Sequence, residues 1–285
     1  MSKKERSSEK KKSKPGSLIA EMREHKVTFT VYIILRMLVI AAIVISVLRG
    51  NYENVFVCVL TLVLLLIPQI IERSFKVNLP DVLEVIILLF VFAAEILGEL
   101  QCYYIKYPYW DTMLHTINGF ICAAAGFALV DVLNRNEKIK LSLSPIYMAI
   151  VAFCFSMTVG VLWEFFEFGC DRLLLTDMQK DTVVQTISST MLDPTGSNKA
   201  VIISDINETA VNGEVLGVAG YLDVGLYDTM KDLFVNFIGA VVFSVIGFIY
   251  VKNRGKKKSI AALFIPTLKE DDDGEDNTSG SDKNE

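Results

Sequence analysis

Histidine is scarce in this chain, two in 285 residues, and its five cysteines fall in no CxxC or zinc-ligand spacing. That leaves no basis for a cysteine-built metal site or a thioredoxin-like redox motif. No P-loop, Gly-x-Gly-x-x-Gly or Gly-x-Ser-x-Gly occurs, so the common phosphate cradles and the serine-hydrolase elbow are absent too. No internal repeat is visible. Charge is missing where it matters most: charged residues make up 21% of the chain, yet they gather in the tails and loops and leave long apolar runs between them.

Those runs set the fold class. The chain is 52% hydrophobic with a mean hydropathy of +0.42. A membrane helix needs roughly 20 apolar residues, and about six segments qualify: Val27–Leu48, Val55–Ile71, Val82–Leu97, Met113–Leu133, Ile146–Phe168 and Leu233–Val251. The first is longer than a signal-peptide core, follows a Lys-rich stretch and precedes no small-residue cleavage site, so it reads as a retained helix. The expected architecture is an all-α polytopic membrane protein, a bundle of about six transmembrane helices. A basic tail (1–26) precedes the transmembrane domain (27–251), and a basic-then-acidic tail (252–285) follows it.

Lys and Arg set the orientation. They are dense in the N-terminal tail and recur at Arg73, Lys76, Arg135, Lys138, Lys140 and from Lys252 to Lys258. The alternate connections, 50–54 and 101–109, are poor in them. Both termini are therefore expected in the cytoplasm, and the long connection 172–225 outside. Its apolar stretches, punctuated by Asp-Pro and Asn-Gly, suggest a small extracytoplasmic cap with short strands. The basic N-terminus adjoins a membrane helix, where it fixes topology and meets anionic lipid, so no nucleic-acid partner is expected. The last residues, 269–285, are too polar to build a core.

Three of the apolar helices carry acids at helical spacing. The sets are Asp111-x-x-x-His115-x-x-Asn118, Glu164-x-x-Glu167-x-x-x-Asp171 and Asp228-x-x-x-Asp232-x-x-x-Asn236. Spacings of three and four place each set on one helix face, and the expected topology brings all of them to the outer surface. Glu95 and Glu99, four apart, join them there. Charged groups at this depth are costly and usually serve a function.

Each acid has a plainer reading as well. Asp111 follows Tyr109 and Trp110 and suits a helix cap or an interfacial belt as well as a ligand. His115, four residues deeper, pairs with Asp111 as carboxylate and imidazole. Glu164 and Glu167 lie among aromatics, either buried or reaching for the interface. Asp228 suits a cap, whereas Asp232 and Asn236 lie too deep for one, and Lys231 stands ready to neutralise a neighbour. Cys102 and Cys170 both fall near the outer surface, where a disulfide is chemically allowed. Gly119, Ala123, Gly126, Gly239, Ala240 and Ser244 permit close helix packing.

Three motifs carry a family resemblance. Trp110-Asp-Thr-Met-Leu-His-Thr-Ile-Asn-Gly119, Trp163-Glu-Phe-Phe-Glu167 and Tyr227-Asp-Thr-Met-Lys-Asp-Leu-Phe-Val-Asn-Phe-Ile-Gly-Ala240 resemble the YjdF-like family of bacterial inner-membrane proteins. Their order is also similar to that of the VanZ-like family, linked to glycopeptide-antibiotic resistance. The resemblance spans roughly Leu79 to Val251. It implies a bacterial cell membrane and a site made by these same motifs; it implies no reaction.

Carboxylates with one imidazole and no thiolate suit Mg, Mn, Fe or Zn. The expected metal ligands are His115, Glu164, Glu167, Asp228 and Asp232, and the same residues with Asp111 form the candidate catalytic set. One function is a metal-dependent hydrolase or transferase acting on a lipid-linked or envelope substrate. A second is a cation- or proton-coupled transporter, which the one-sided clustering and the lack of repeats disfavour. A third is a non-catalytic protein that senses the envelope or confers antibiotic resistance, its acids locking helix ends.

Overall fold

The computed structural model describes residues 26–75, 77–135, 142–253 and 263–268. The basic N-terminal tail, the Lys-rich connection after Arg135 and the acidic C-terminal tail lie outside them.

Helix α1 (Lys26–Leu48) is followed by α2 (Tyr52–Leu64) and α3 (Ile67–Phe75). Asn51 opens α2 by accepting the backbone N–H of Asn54. The break between α2 and α3 falls just ahead of Pro68, which lacks the N–H that a continuous helix would use. Strand β1 (Val77–Asn78) leads to α4 (Asp81–Phe92), which runs on with wider π-helical winding over Ala93–Leu100. A short helix, α5 (Tyr103–Lys106), precedes the three long helices α6 (Trp110–Arg135), α7 (Pro145–Leu174) and α8 (Leu226–Lys252). Helix α7 starts with Ser144 accepting the Tyr147 N–H and Pro145 in the first turn.

Among the described residues, five helical stretches are long and apolar enough to cross a membrane: Lys26–Leu48, Tyr52–Ser74, Trp110–Asn134, Pro145–Leu174 and Leu226–Lys252. The protein is thus an all-α polytopic membrane protein. The segment expected at 82–97 falls on the composite of α4, 12 residues, and its π-helical extension, 8 residues, and is not among those five. Helix α8 begins seven residues before the expected Leu233, so Asp228 and Asp232 both lie on it.

Helices α6, α7 and α8 pack most extensively on one another, while α1 packs on α2 and α4 at the side. One apolar core joins Leu83, Ile87, Phe127, Met148, Ala152 and Phe243 from α4 and the three long helices. A second, with Leu35, Val39, Cys58, Leu65 and Leu88, ties α1, α2 and α4. Arg36, halfway along α1, stacks over the Tyr32 ring at 4.5 Å.

Helices α6 and α8 touch backbone to backbone. A Cβ on Gly119 would run into the carbonyl oxygen of Asn236, and one on Gly239 into that of Thr116. Small residues permit this approach, and polar groups fix its register. Asn118 donates to the fully buried Asn236 at 3.5 Å, and Ser156 of α7 donates to the Gly119 carbonyl at 2.7 Å, tying α7 to α6 at the same level.

The connection from α7 to α8 folds into antiparallel ladders. Strand β2 (Val183–Val184) pairs with β7 (Tyr221–Leu222), β3 (Ile187–Ser189) with β4 (Val201–Ile203), and β5 (Ala210–Val211) with β6 (Glu214–Val215). Beyond α8 the chain returns: β8 (Thr267–Leu268) pairs with β1. Ile265 just before it is fully buried in the first core, and Phe264 meets the Phe120 ring edge-on at 5.5 Å.

Candidate metal centre

The first turns of α6 and α8 and the last turns of α7 converge at one end of the bundle. Asp111, Asp228 and Asp232 reach the site because α6 and α8 begin before the apolar runs do. Asp111 lies in the first turn of α6, where an acid complements the helix dipole. One turn on, His115 points the same way, its Nε2 3.4 Å from Asp111 Oδ1. From α8, Asp232 brings Oδ2 to 3.8 Å from the same Nε2. From α7, Glu164 places Oε1 4.0 Å from His115 Nδ1. Asp111, His115 and Asp232 each offer a ligand atom, and all three lie within 4.8 Å of one another.

Burial rises with depth. The Asp111 side chain is 26% exposed, His115 11%, Glu164 5% and Asp232 2%. Among the described residues, Asp111 Oδ2, Glu164 Oε2 and Asp232 Oδ1 are buried without a hydrogen bond. A buried carboxylate oxygen normally has a donor or a cation, because desolvating it is costly. Two of the three, Asp111 Oδ2 and Asp232 Oδ1, have the Lys231 ammonium within 3.7 Å; carboxylate oxygens are the donor atoms a hard cation takes.

Lys231 closes the cluster on its exposed side. Its Nζ donates to Asp228 Oδ1 at 3.1 Å and lies 3.6 Å from Asp111 Oδ2 and 3.7 Å from Asp232 Oδ1. The other oxygen of Asp228 accepts the backbone N–H of Lys180 at 2.9 Å. Asp228 thus fastens the loop to α8, and it stands outside the trio of converging ligand atoms.

Glu167, one turn beyond Glu164, accepts the indole N–H of Trp163 at 2.8 Å. Trp163 lies four residues earlier, and its donor role follows from the helical i to i+4 spacing. Asp171 leaves the cluster altogether. Its two oxygens accept the backbone N–H groups of Met178 and Gln179 and the Thr176 hydroxyl, a staple at the end of α7.

Three residues that sequence reading passed over line the site. Gln179 donates to Thr229 at 2.5 Å, and both neighbour the Glu164 carboxylate. Tyr104, on α5, is mostly buried, with Asp111 and Glu167 on one hand and Glu95 and Glu99 on the other acting on its phenol. Burial first, and then those four carboxylates, hold its pKa above the ordinary phenol value. Glu95 and Glu99 contribute none of the converging ligand atoms. Tyr104 belongs to a short loop helix whose position no periodicity signals. The five cysteines are all free thiols, Cys102 and Cys170 included.

The loop reaches α8 through a tight corner. Gly225 takes φ +82° at the helix start, and a Cβ there would crowd Gln179. Asp223 supplies the cap that Gly225 lacks, accepting the Tyr227 N–H at 2.7 Å.

Comparison with known proteins identifies residues 31–253 as matching the family described as predicted membrane protein DUF2238. An uncharacterized protein of Thermotoga maritima is 23% identical over 107 residues, 38% of this chain. The match spans about half, 53%, of that relative's length. No solved structure matches.

Proposed function

For this chain, which belongs to the DUF2238 family of predicted membrane proteins, we propose a divalent-metal centre at the membrane surface that serves a hydrolase or transferase. The observation that carries the reading is the convergence of one ligand atom each from Asp111, His115 and Asp232 within 4.8 Å of one another, with Glu164 Oε1 4.0 Å from the same imidazole. His115, Asp111 and Asp232 hold the ion, Mg, Mn, Fe or Zn, with Glu164 beside them. Such an ion polarises a phosphoryl or carbonyl oxygen or lowers the pKa of bound water.

The chain's own groups take defined parts in this proposal. Glu164 Oε1, facing His115 Nδ1, orients the imidazole so that Nε2 is turned toward Asp111 and Asp232. Glu164, with a free oxygen at the site, moves the proton. Glu167, anchored by Trp163, fixes the end of α7. Asp228 holds the loop against α8 and keeps Lys231 in place. Ionisable groups at this depth on membrane helices favour a functional role over a structural one.

The positive-inside pattern supports termini in the cytoplasm and the centre at the outer face of a cell membrane, in keeping with what the YjdF-like resemblance implies for a bacterial inner-membrane protein. A substrate anchored in lipid reaches a cleft at this depth by lateral diffusion. The partners are then the bilayer and a lipid-linked or envelope substrate.

The test is turnover. Purified protein is loaded with Mn or Zn and incubated with lipid phosphates and lipid-linked acyl compounds. Metal-dependent product release that drops at least ~100-fold in Asp232→Ala supports the reading. Turnover equal in wild type and Asp232→Ala removes it.

A further inference from the structure

We propose that Asp111 and Asp232 bridge two cation positions, and that the Lys231 ammonium fills the second. The inference rests on the metal reading of the first position, beside His115.

Each of the two carboxylates is divided between two neighbours. Asp111 Oδ1 and Asp232 Oδ2 face His115 Nε2 at 3.4 and 3.8 Å. Their other oxygens, Asp111 Oδ2 and Asp232 Oδ1, face Lys231 Nζ at 3.6 and 3.7 Å. Asp228 Oδ1 completes the second position at 3.1 Å. Carboxylates offering one oxygen to each side are the elements that bridge paired divalent ions, which stand about 3.5–4 Å apart in known two-metal centres.

The fit of the lysine to this pocket is incomplete. Asp232 is 2% exposed, and its Oδ1 is aimed at the ammonium with no hydrogen bond to it. Asp111 Oδ2 is in the same state. An ammonium is a single compact charge with three donors on a flexible stem. Here it bonds one carboxylate, Asp228, and leaves two others held by charge alone. A divalent ion with shorter oxygen contacts, 2.0–2.6 Å for hard cations, would engage all three. Lys231 keeps the position because it is tethered one residue from Asp232, which gives it a high effective concentration. Its side chain is 43% exposed and can swing out without unpacking the helices.

The centre is therefore built for two cations, with a lysine serving as one of them. Removing the lysine opens its position to a second metal. Keeping a cation there, as in Lys231→Arg, leaves it closed.

The experiment is Mn binding to the detergent-purified full chain, counted by elemental mass spectrometry after desalting. The wild type is expected to hold about one ion per chain and Lys231→Met about two. Lys231→Arg stays at about one, and Lys231→Met with Asp228→Asn returns to about one, which ties the second ion to Asp228. A Lys231→Met protein with the stoichiometry and affinity of wild type overturns the inference while the first position stands. Two ions in the wild type overturn it as well, since the lysine then holds nothing. No ion in either protein, with Lys231→Arg folded as judged by its melting temperature, overturns the metal reading beneath it.

Discussion

Asp232 and Asp171 come from the same kind of spacing argument and end in opposite roles. Asp232 is buried with one oxygen toward His115 and the other toward Lys231. Asp171 spends its oxygens on loop N–H groups and the Thr176 hydroxyl. Replacing each by Asn should separate them: Asp232→Asn lowers metal affinity at least ~10-fold, while Asp171→Asn leaves it unchanged and speeds proteolysis of the loop after Leu175. Helical periodicity placed Asp111, His115, Glu164 and Asp232 on converging faces because three- and four-residue spacing is all that convergence on one face needs. It could not tell a ligand from a loop staple, since that depends on where the chain goes after α7 ends. Asp193, out in the loop, supplies a pH test. Thr195, Ser197 and Lys199 donate to it from backbone and hydroxyl. Those hydrogen bonds, the Thr195 ones foremost, hold its carboxyl below the usual Asp range. A depressed carboxyl stabilises the turn at pH values above the unfolded pKa, and that stability is lost as pH falls through the folded one. Exchange of the Ser197 and Lys199 amides should stay slow at mildly acid pH and quicken only under strong acid.

At the scale of elements, the contact between α6 and α8 does most to bring Asp111 and His115 beside Asp232. Gly119 and Gly239 let the backbones touch, and Asn118 with Asn236 sets the register. Gly239→Val should push the helices apart. It should cost about 1–3 kcal/mol of stability, read as a lower melting temperature, and weaken metal binding together with it. The small residues along both helices signalled close packing from the sequence, but not which helix would face which. The division of the second apolar segment at Pro68 was also legible, because proline cannot donate inside a helix. The π-helical winding of Ala93–Leu100 was not. A composite helix reads as one apolar run, and nothing in the composition reports a change of hydrogen-bond register.

On the scale of the whole molecule, hydropathy gave the class because apolar runs of spanning length have few soluble alternatives. The return of the chain after α8 escaped it. Phe264 and Ile265 belong to an apolar run, 260–266, too short to cross a membrane, yet Ile265 is buried completely and Phe264 packs on Phe120. Truncation before Leu263 should therefore lower stability by about 2–5 kcal/mol, measured as a fall in melting temperature, since two large apolar side chains lose their burial. The proposed metal centre lies toward the other end of α6, so metal content should survive that truncation. Reporter fusions at Asp193 and after Lys252 should read opposite sides of the membrane if the Lys and Arg pattern sets the orientation.

The measurement that bears most directly on the central claim is metal content of the purified full chain, by elemental mass spectrometry, wild type beside His115→Ala and Asp232→Asn. The account predicts near-stoichiometric metal in the wild type and its loss in both variants while their melting temperatures stay within a few degrees. A wild type that holds no metal after incubation with Mn and Zn would contradict it, and would leave Asp111, His115, Glu164 and Asp232 as a proton-handling or structural cluster.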